Sequence, residues 1–434
     1  MRFSSIKPWM FGITVLPYGM VAAFAQTLMG HKLTEAKVSI DNIGWYSVLT
    51  GIPVFAQFLY TPLTDLKLNQ HTWLFIGSLV SALAIGASVF VPLPSYLNLY
   101  LLLIFIAQLG CAIVASCNAG LMARLLPTEL QHKAGGWHSL GNIGGTGIII
   151  GIMTILSGYI SLKTLSVTYG LFAILPGLFV FLIPKSTIKP QIPQNLPANG
   201  DVPLKIQTIT TSAHWKESIV SLWKALKTHA GWTGILICLA PAGSAALTIN
   251  GFSSLSEKYF HVSSITFGLS HGFIAGIASS IGALVCSHLN HQFSRRKLYF
   301  SSGILSGIVS VGIIFFPFTP ITYAIGVGLY SLVAGFSTSA FCGFVLEIIR
   351  KEKVPVATYY TLFTSAANVA VAYVVVINSY MAQSHGAKGM FLSDAILNIT
   401  GVLVLFLLFR FFFKKPTHQQ NLTSENVLGD NSHE

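Results

Sequence analysis

Apolar runs of about 20 residues leave this chain few choices of fold, because a run of that length crosses the hydrocarbon core of a bilayer as a helix that satisfies its own backbone. Twelve such runs can be read, near 9–30, 43–63, 73–91, 98–123, 135–159 and 162–184, then near 231–252, 265–288, 299–317, 320–348, 357–382 and 391–413. Only 9% of the 434 residues are charged, against roughly 25% in a soluble protein. The expected architecture is an all-α membrane protein with 12 transmembrane helices.

The net charge of +12 follows the same layout. Of the 25 Lys and Arg residues, 20 fall in turns on the side of the N-terminus and 5 on the other. Basic turns stay on the cytoplasmic side of a membrane, so both termini are predicted to be cytoplasmic. This placement also argues against a nucleic-acid partner. The cysteines at 111, 117, 238, 286 and 342 all lie inside apolar runs at no metal-ligand spacing, and read as small packing residues.

The two groups of six runs are related by a constant step. Arg124, Ser139 and Asn142 recur as Arg350, Ser365 and Asn368, each 226 positions on (350−124, 365−139, 368−142). Such an offset marks a duplicated bundle, two six-helix pseudo-repeats. Pro17-Tyr18-Gly19 in the first run is echoed by Pro241-Ala242-Gly243 in the seventh. That echo argues against the first run being a cleaved signal peptide, although Arg2, Lys7 and Ala23-Phe24-Ala25 imitate one. The domains expected are an N-terminal six-helix bundle over 1–184, a cytoplasmic linker over 185–230, a C-terminal bundle over 231–413 and a disordered cytoplasmic tail over 414–434. The linker opens with Pro-rich polar text. It continues with Trp215, Ile219, Leu222, Trp223 and Leu226 on one helical face, the pattern of a helix lying on the membrane surface or docking on a partner.

Residues that break, slide or carry charge inside the spans are the functional candidates. Pro17, Gly19, Pro241 and Gly243 should bend spans one and seven near the midplane, where interrupted helices point to a transport path. Gly268, Gly272, Gly276 and Ser280 repeat every four residues in span eight, and Gly141/Gly145 and Gly147/Gly151 do so in span five. Such small-residue faces let backbones touch, and would suit two halves that rock against each other. Ionisable residues within spans are costly. Glu347 is either a proton-coupling carboxylate or the salt-bridge partner of Arg350, and His271 is either part of a proton path or a hydrogen-bonded packing residue. His138 reads as structural, and Asp394 as an interfacial residue or helix cap. Gln26, Gln57, Gln108, Asn118, Asn142, Asn250 and Asn368 are the candidate contacts for a polar substrate; each alone serves equally as an interhelical hydrogen bond.

The turn after span two reads FLYTPLTDLKLNQHTW from Phe58 to Trp73. It resembles the signature between helices two and three of the major facilitator superfamily, a Gly-x-Leu-x-Asp pattern followed by basic residues. More narrowly, this turn and AGGWHSLGNIGGTG from Ala134 resemble the peptide/acetyl-CoA transporter branch, which includes muropeptide permeases of the AmpG type and some siderophore importers. The turn departs from the signature, with Lys67 followed by Asn69, Gln70 and His71 where bases are usual, and His291 standing opposite Asp65 in the second half. The resemblance implies a gating role for Asp65 with Arg124, Arg295 and Arg350 at the inner ends.

The function expected is secondary active transport by alternating access: proton-coupled import of a muropeptide-like or siderophore-like molecule across a bacterial inner membrane, by a multi-pass and monomeric protein whose partners are its substrate and the bilayer. No cofactor, metal or enzymatic activity is expected. No metal-ligand set or His-x-x-x-x-Asp pair accompanies His138 or His271, as a membrane acyltransferase would need. Transport of another amphiphilic metabolite, acyl-CoA included, and a non-transporting sensor on the same fold remain the alternatives. The lack of counter-charge within the spans disfavours a densely anionic substrate.

Overall fold

The computed structural model describes residues 6–60, 64, 68–126, 134, 137–138, 140–157, 159–160, 162–184, 220, 223, 227–289, 293–350 and 356–412. Among these residues every regular element is a helix. Six helices are long and apolar enough to cross a membrane: Gln70–Ser88, Leu97–Met122, Ser264–Cys286, Arg296–Ile314, Pro320–Cys342 and Thr361–Leu408. The apolar helices Met10–Ala23, Leu140–Met153 and Thr168–Leu182 are shorter. Most of the 185–230 linker and the whole 414–434 tail lie outside the described residues.

The first half begins with α1 (Met10–Thr14), α2 (Leu16–Ala23), a π turn over Phe24–Leu28 and α3 (Met29–Glu35). Together these form one bent span. The bend falls at Val15, and Pro17 sits in the first turn of α2, where its missing N–H costs nothing. Then come α4 (Ile40–Phe55), α5 (Gln57–Tyr60), α6 (Gln70–Ser88), α7 (Leu97–Leu125), α8 (Gly145–Ser157, entered through a π turn over Leu140–Gly144) and α9 (Leu162–Phe179). The second half holds α10 (His229–Leu239), α11 (Gly251–Leu255), α12 (Ser264–Leu269), a π turn over Ser270–Ile274, α13 (Ala275–Leu289), α14 (Arg295–Ile314), α15 (Pro320–Arg350) and α16 (Val356–Phe412). Polar side chains just before several helices start them. Asn69, Thr228, Ser263 and Ser294 each accept the backbone N–H three residues on, at 2.9–3.4 Å.

The eleventh and twelfth runs form the two limbs of α16, which meet at a sharp break at Gly386, whose φ of 71° glycine alone adopts without strain. One element departs from the pattern read in the sequence. The seventh run, expected to bend, is open: α10 stops at Leu239 and α-helix resumes as α11 only at Gly251, with a single 3-10 turn over Ala246–Thr248 between them. Between them Gly243, Ala245 and Asn250 all have positive φ.

Each half has its own core. Met20, Phe24, Tyr100, Ile104 and Cys111 anchor the first, and Phe252, Phe260, Tyr323, Tyr330 and Phe391 the second. The four cysteines at 111, 117, 238 and 286 are buried packing residues. The outer surface is apolar: Leu83, Leu284, Ile308, Ile321 and Leu403 are each more than half exposed. In water such a surface would be covered by association; in lipid it is the solvated face.

Candidate functional site

The halves meet along glycine. Were Gly147 given a Cβ, it would lie 2.4 Å from Gly276 Cα, and one on Gly272 would lie 2.4 Å from Gly151 N. Both distances are far inside contact, so α8 and the π turn leading into α13 touch backbone to backbone across the seam. A second crossing joins α4 to α16, where a Cβ on Gly44 would lie 2.4 Å from Ser379 Oγ. The Gly147/Gly151 face of span five thus meets Gly272 and Gly276 of span eight between the halves, whereas Gly141 and Gly145 pack against Gly12 and Leu16 of span one.

A third crossing lies where α3 turns into α4, and there the contact is polar. Asn250, 3% exposed, closes the break in the seventh span in a left-handed conformation (φ 57°). Its Nδ2 donates to Ala25 O (3.0 Å) and Ser47 Oγ (2.6 Å), and its Oδ1 accepts from Gly30 N (2.8 Å). Beside it the His31 ring stacks on Phe267 at 4.3 Å, with His31 Nε2 3.2 Å from Glu35 Oε1. Phe267 also touches His271, whose Nε2 lies 2.7 Å from the Tyr323 hydroxyl. Asn250 therefore latches one half to the other, a role that the sequence left open beside substrate contact.

The break itself is held by side chains from α15 and from both limbs of α16. Ser337 Oγ donates to Gly243 O at 2.7 Å, Tyr373 OH to Leu239 O at 2.8 Å, and Gly243 N donates to Asn398 Oδ1 at 2.9 Å. Backbone groups freed by an interrupted helix need such partners. Gly243 is fitted closely to them, since an added Cβ would lie 2.3 Å from Ser337 Oγ and 2.6 Å from Ser302 Oγ. Gly243→Ala is expected to lower the melting temperature of the purified protein, because its positive φ costs an L-residue about 1–2 kcal/mol and the hydroxyls obstruct the new methyl. Adding Ser337→Ala should recover part of the loss; full wild-type stability of the single variant would count against this account.

Behind the break lies a group that the sequence placed at the membrane interface. Asp394 is instead fully buried. Its Oδ2 accepts from Ser310 Oγ (2.7 Å), Tyr330 OH (3.1 Å) and Asn398 Nδ2 (3.2 Å), and its Oδ1 from Asn378 Nδ2 (3.0 Å). Four donors converge from α14, α15 and both limbs of α16, so burial is compensated by hydrogen bonds and no cap is involved. Asp394 and Asn398 are four residues apart on one helical face within an apolar run, and that pairing was the only signal in the sequence.

The remaining candidates separate into committed and free groups. Asn118 is committed: it accepts from Thr14 Oγ1 (2.6 Å) and donates to Phe11 O (3.1 Å), with its Nδ2 2.8 Å from His138 Nδ1. Gln57 donates to Ser116 Oγ (2.7 Å) and Ala112 O (3.3 Å). Gln108 accepts from the Cys111 thiol and leaves its amide nitrogen without a partner among the described residues. Asn142 and Asn368, both partly exposed, have side chains that take no partner among the described residues. The structure joins Asn142 to the Pro17–Gly19 element: Thr146 Oγ1 bonds both Gly19 O and Asn142 O, and a Cβ on Gly19 would lie 2.5 Å from Asn142 O. Asp65 and the side chains of Gln26, Arg124, Arg295, Glu347 and Arg350 lie outside the described residues.

A sequence profile described as the Major Facilitator Superfamily matches residues 9–358 and also 235–428. The chain belongs to the Major Facilitator Superfamily. It is therefore an integral, multi-pass membrane transporter and not an enzyme. No curated protein matches the chain in sequence. Among solved structures, it is similar to a D-xylose–proton symporter, with a TM-score of 0.69 at 13% identity over 92% of this chain and 96% of that one. A mutant of the nucleoside transporter NupG gives 0.64 at 14% identity, over 92% and 99% of the two chains. The xylose transporter XylE from E. coli, in a partially occluded inward-open conformation, gives 0.63 at 12% identity over 92% and 94%. At these identities the likeness is one of fold. A transporter of this superfamily offers a small molecule a path between its two halves, so the seam and the span-seven break are its candidate site.

Proposed function

We propose that this superfamily member is a proton-coupled secondary transporter that imports a muropeptide-like or siderophore-like small molecule by alternating access across a bacterial inner membrane. In this reading the protein has 12 spans in two six-helix bundles, 1–184 and 231–413, with both termini cytoplasmic and the gating residues Asp65, Arg124, Arg295 and Arg350 at the inner ends. The observation that carries it is the seam: glycine backbones in contact across spans five and eight, beside a span whose α-helix is interrupted over residues 240–250 and held there by side chains. Smooth faces allow rocking, and interrupted helices expose backbone groups at the transport path.

Asn142 and Asn368, with the Gln108 amide nitrogen, supply amide groups that take no partner among the described residues, of the kind that bind neutral polar groups. Solutes such as the xylose and nucleoside named for the structural neighbours are of that kind. The test is uptake by cells expressing the protein, with labelled anhydromuropeptide or ferric siderophore, each with and without a protonophore. One compound should accumulate, and the protonophore should collapse it. Asn142→Ala and Asn368→Ala should each lower uptake by at least roughly tenfold, the worth of one lost hydrogen bond with its partner left unpaired, at unchanged membrane level. Uptake of neither compound would remove the substrate assignment; undiminished uptake by both variants would remove the two asparagines from the site.

A further inference from the structure

We propose that Asp394 is a proton-binding site whose charge state sets the geometry of the break in span seven, through Asn398. This rests on the reading of the protein as a proton-coupled transporter, and moves the coupling group away from Glu347 and His271. Asp394 is wholly buried, and the four side chains that reach it all donate to it. A carboxyl group surrounded only by donors is held as the ionised acceptor. Yet no Lys, Arg or His forms an ion pair with it among the described residues, and Tyr330 is the one titratable side chain that faces it from the helices packed around it.

The consequence of protonation follows from what each neighbour can do. A proton delivered by hydronium forms an O–H bond at Asp394 Oδ2 as the donor's O–H bond breaks and leaves water, and no other covalent bond changes. Ser310 can reverse its hydroxyl and accept from the new O–H, because a hydroxyl both donates and accepts. The Asn398 amide nitrogen can only donate. Its contact to Oδ2 is the longest of the three there, at 3.2 Å, and it has another acceptor in Asp394 O at 2.9 Å. Neutral Asp394 therefore releases Asn398 Nδ2. The other end of that same amide, Oδ1, holds Gly243 N–H at 2.9 Å, so an amide whose Nδ2 is left with Asp394 O alone holds the centre of the break less firmly. Ser393, donating to Asn378 Oδ1 at 2.7 Å, keeps Asn378 in place in both states.

The experiment uses the full-length protein in lipid nanodiscs and needs no substrate. Amide hydrogen exchange over residues 242–250, corrected for intrinsic rates, should rise roughly tenfold between about pH 8 and about pH 4. Asp394→Asn should abolish that dependence, and with it a protonated-carboxyl band in infrared difference spectra of the same samples. Asn398→Ala should keep the band and lose the pH dependence of exchange, with fast exchange throughout. A flat profile in the wild type, or a pH-dependent one in Asn398→Ala, would overturn the proposal, and both are readable if Asp394→Asn fails to fold. Uptake insensitive to a protonophore, beside pH-linked exchange, would remove the coupled-transport reading and leave the proton site standing.

Discussion

Gly272→Val is expected to abolish transport while leaving the protein in the membrane. Its first side-chain carbon would lie 2.4 Å from Gly151 N and 2.5 Å from Gly151 Cα, and 3.1 Å from Gly147 O, all backbone atoms of the other half. Backbone cannot rotate aside as a side chain can, so the seam must part. Overpacking of this kind costs about 1–3 kcal/mol, which shifts a two-state equilibrium by roughly ten- to a hundredfold away from the conformation in which spans five and eight are in contact. Gly147→Val, whose Cβ meets Gly276 Cα at 2.4 Å, should reproduce the effect from the facing helix. Gly86→Ala is the control, since nothing lies within 4 Å of its Cβ. Wild-type uptake by Gly272→Val would mean that the seam is not part of the moving surface.

Asn250→Gly is expected to open the far end of the seam. Glycine keeps the left-handed backbone at φ 57° and removes all three hydrogen bonds to Ala25, Gly30 and Ser47. Each is worth about 1 kcal/mol, so the contact between α3 and the break should lose most of its polar hold. Ser253, 1% exposed and packed against Gly30, is the reporter. A cysteine placed there should react with a maleimide at least roughly tenfold faster in the Asn250→Gly chain than in the wild type. Asn250→Ala should go further and lower thermal stability as well, because alanine is strained in that backbone region. Unchanged labelling in both variants would show that the apolar packing of Ile40 and Leu28 against the second core holds the end shut without Asn250.

The two experiments bear on different parts of one surface. Glycine contact is permissive: it lets the halves approach and turn, and contributes little directional hold. The Asn250 latch is specific, because an amide that donates twice and accepts once fits a single arrangement of its partners. A transporter that alternates needs both, a face along which to rock and a bond that breaks when it does.

Asp394 and Asn250 mark the limit of reading a membrane chain in one dimension. Each lies in or near an apolar run, and a polar residue there has the same sequence signature whether it binds substrate, latches two helices or caps one. Asn118 and Gln57 turn out to be occupied by Thr14, Phe11 and Ser116, residues of other spans. Asn142 and Asn368, 226 positions apart, have side chains with no partner among the described residues. Pro17 and Pro241 show the same limit. The motif Pro-x-Gly is common to both, but span one merely bends at Val15 while span seven opens from Ala240 to Asn250. The difference lies in the neighbours, since Ser337, Tyr373 and Asn398 are present around the second motif to take up the freed backbone.

What the sequence determined alone was the class of protein: apolar runs of bilayer length must be helices, and a chain made of them is a multi-pass membrane protein. Its glycine spacings also determined that spans five and eight would present backbone, because period-four glycines share one face whatever packs against it. Only the tertiary structure decided which faces meet, where span seven opens and which polar groups are spent on one another. Those outcomes depend on distances between residues far apart in the chain, as Asp394 and Ser310 or Asn250 and Gly30 are, and helical periodicity carries no information about such distances.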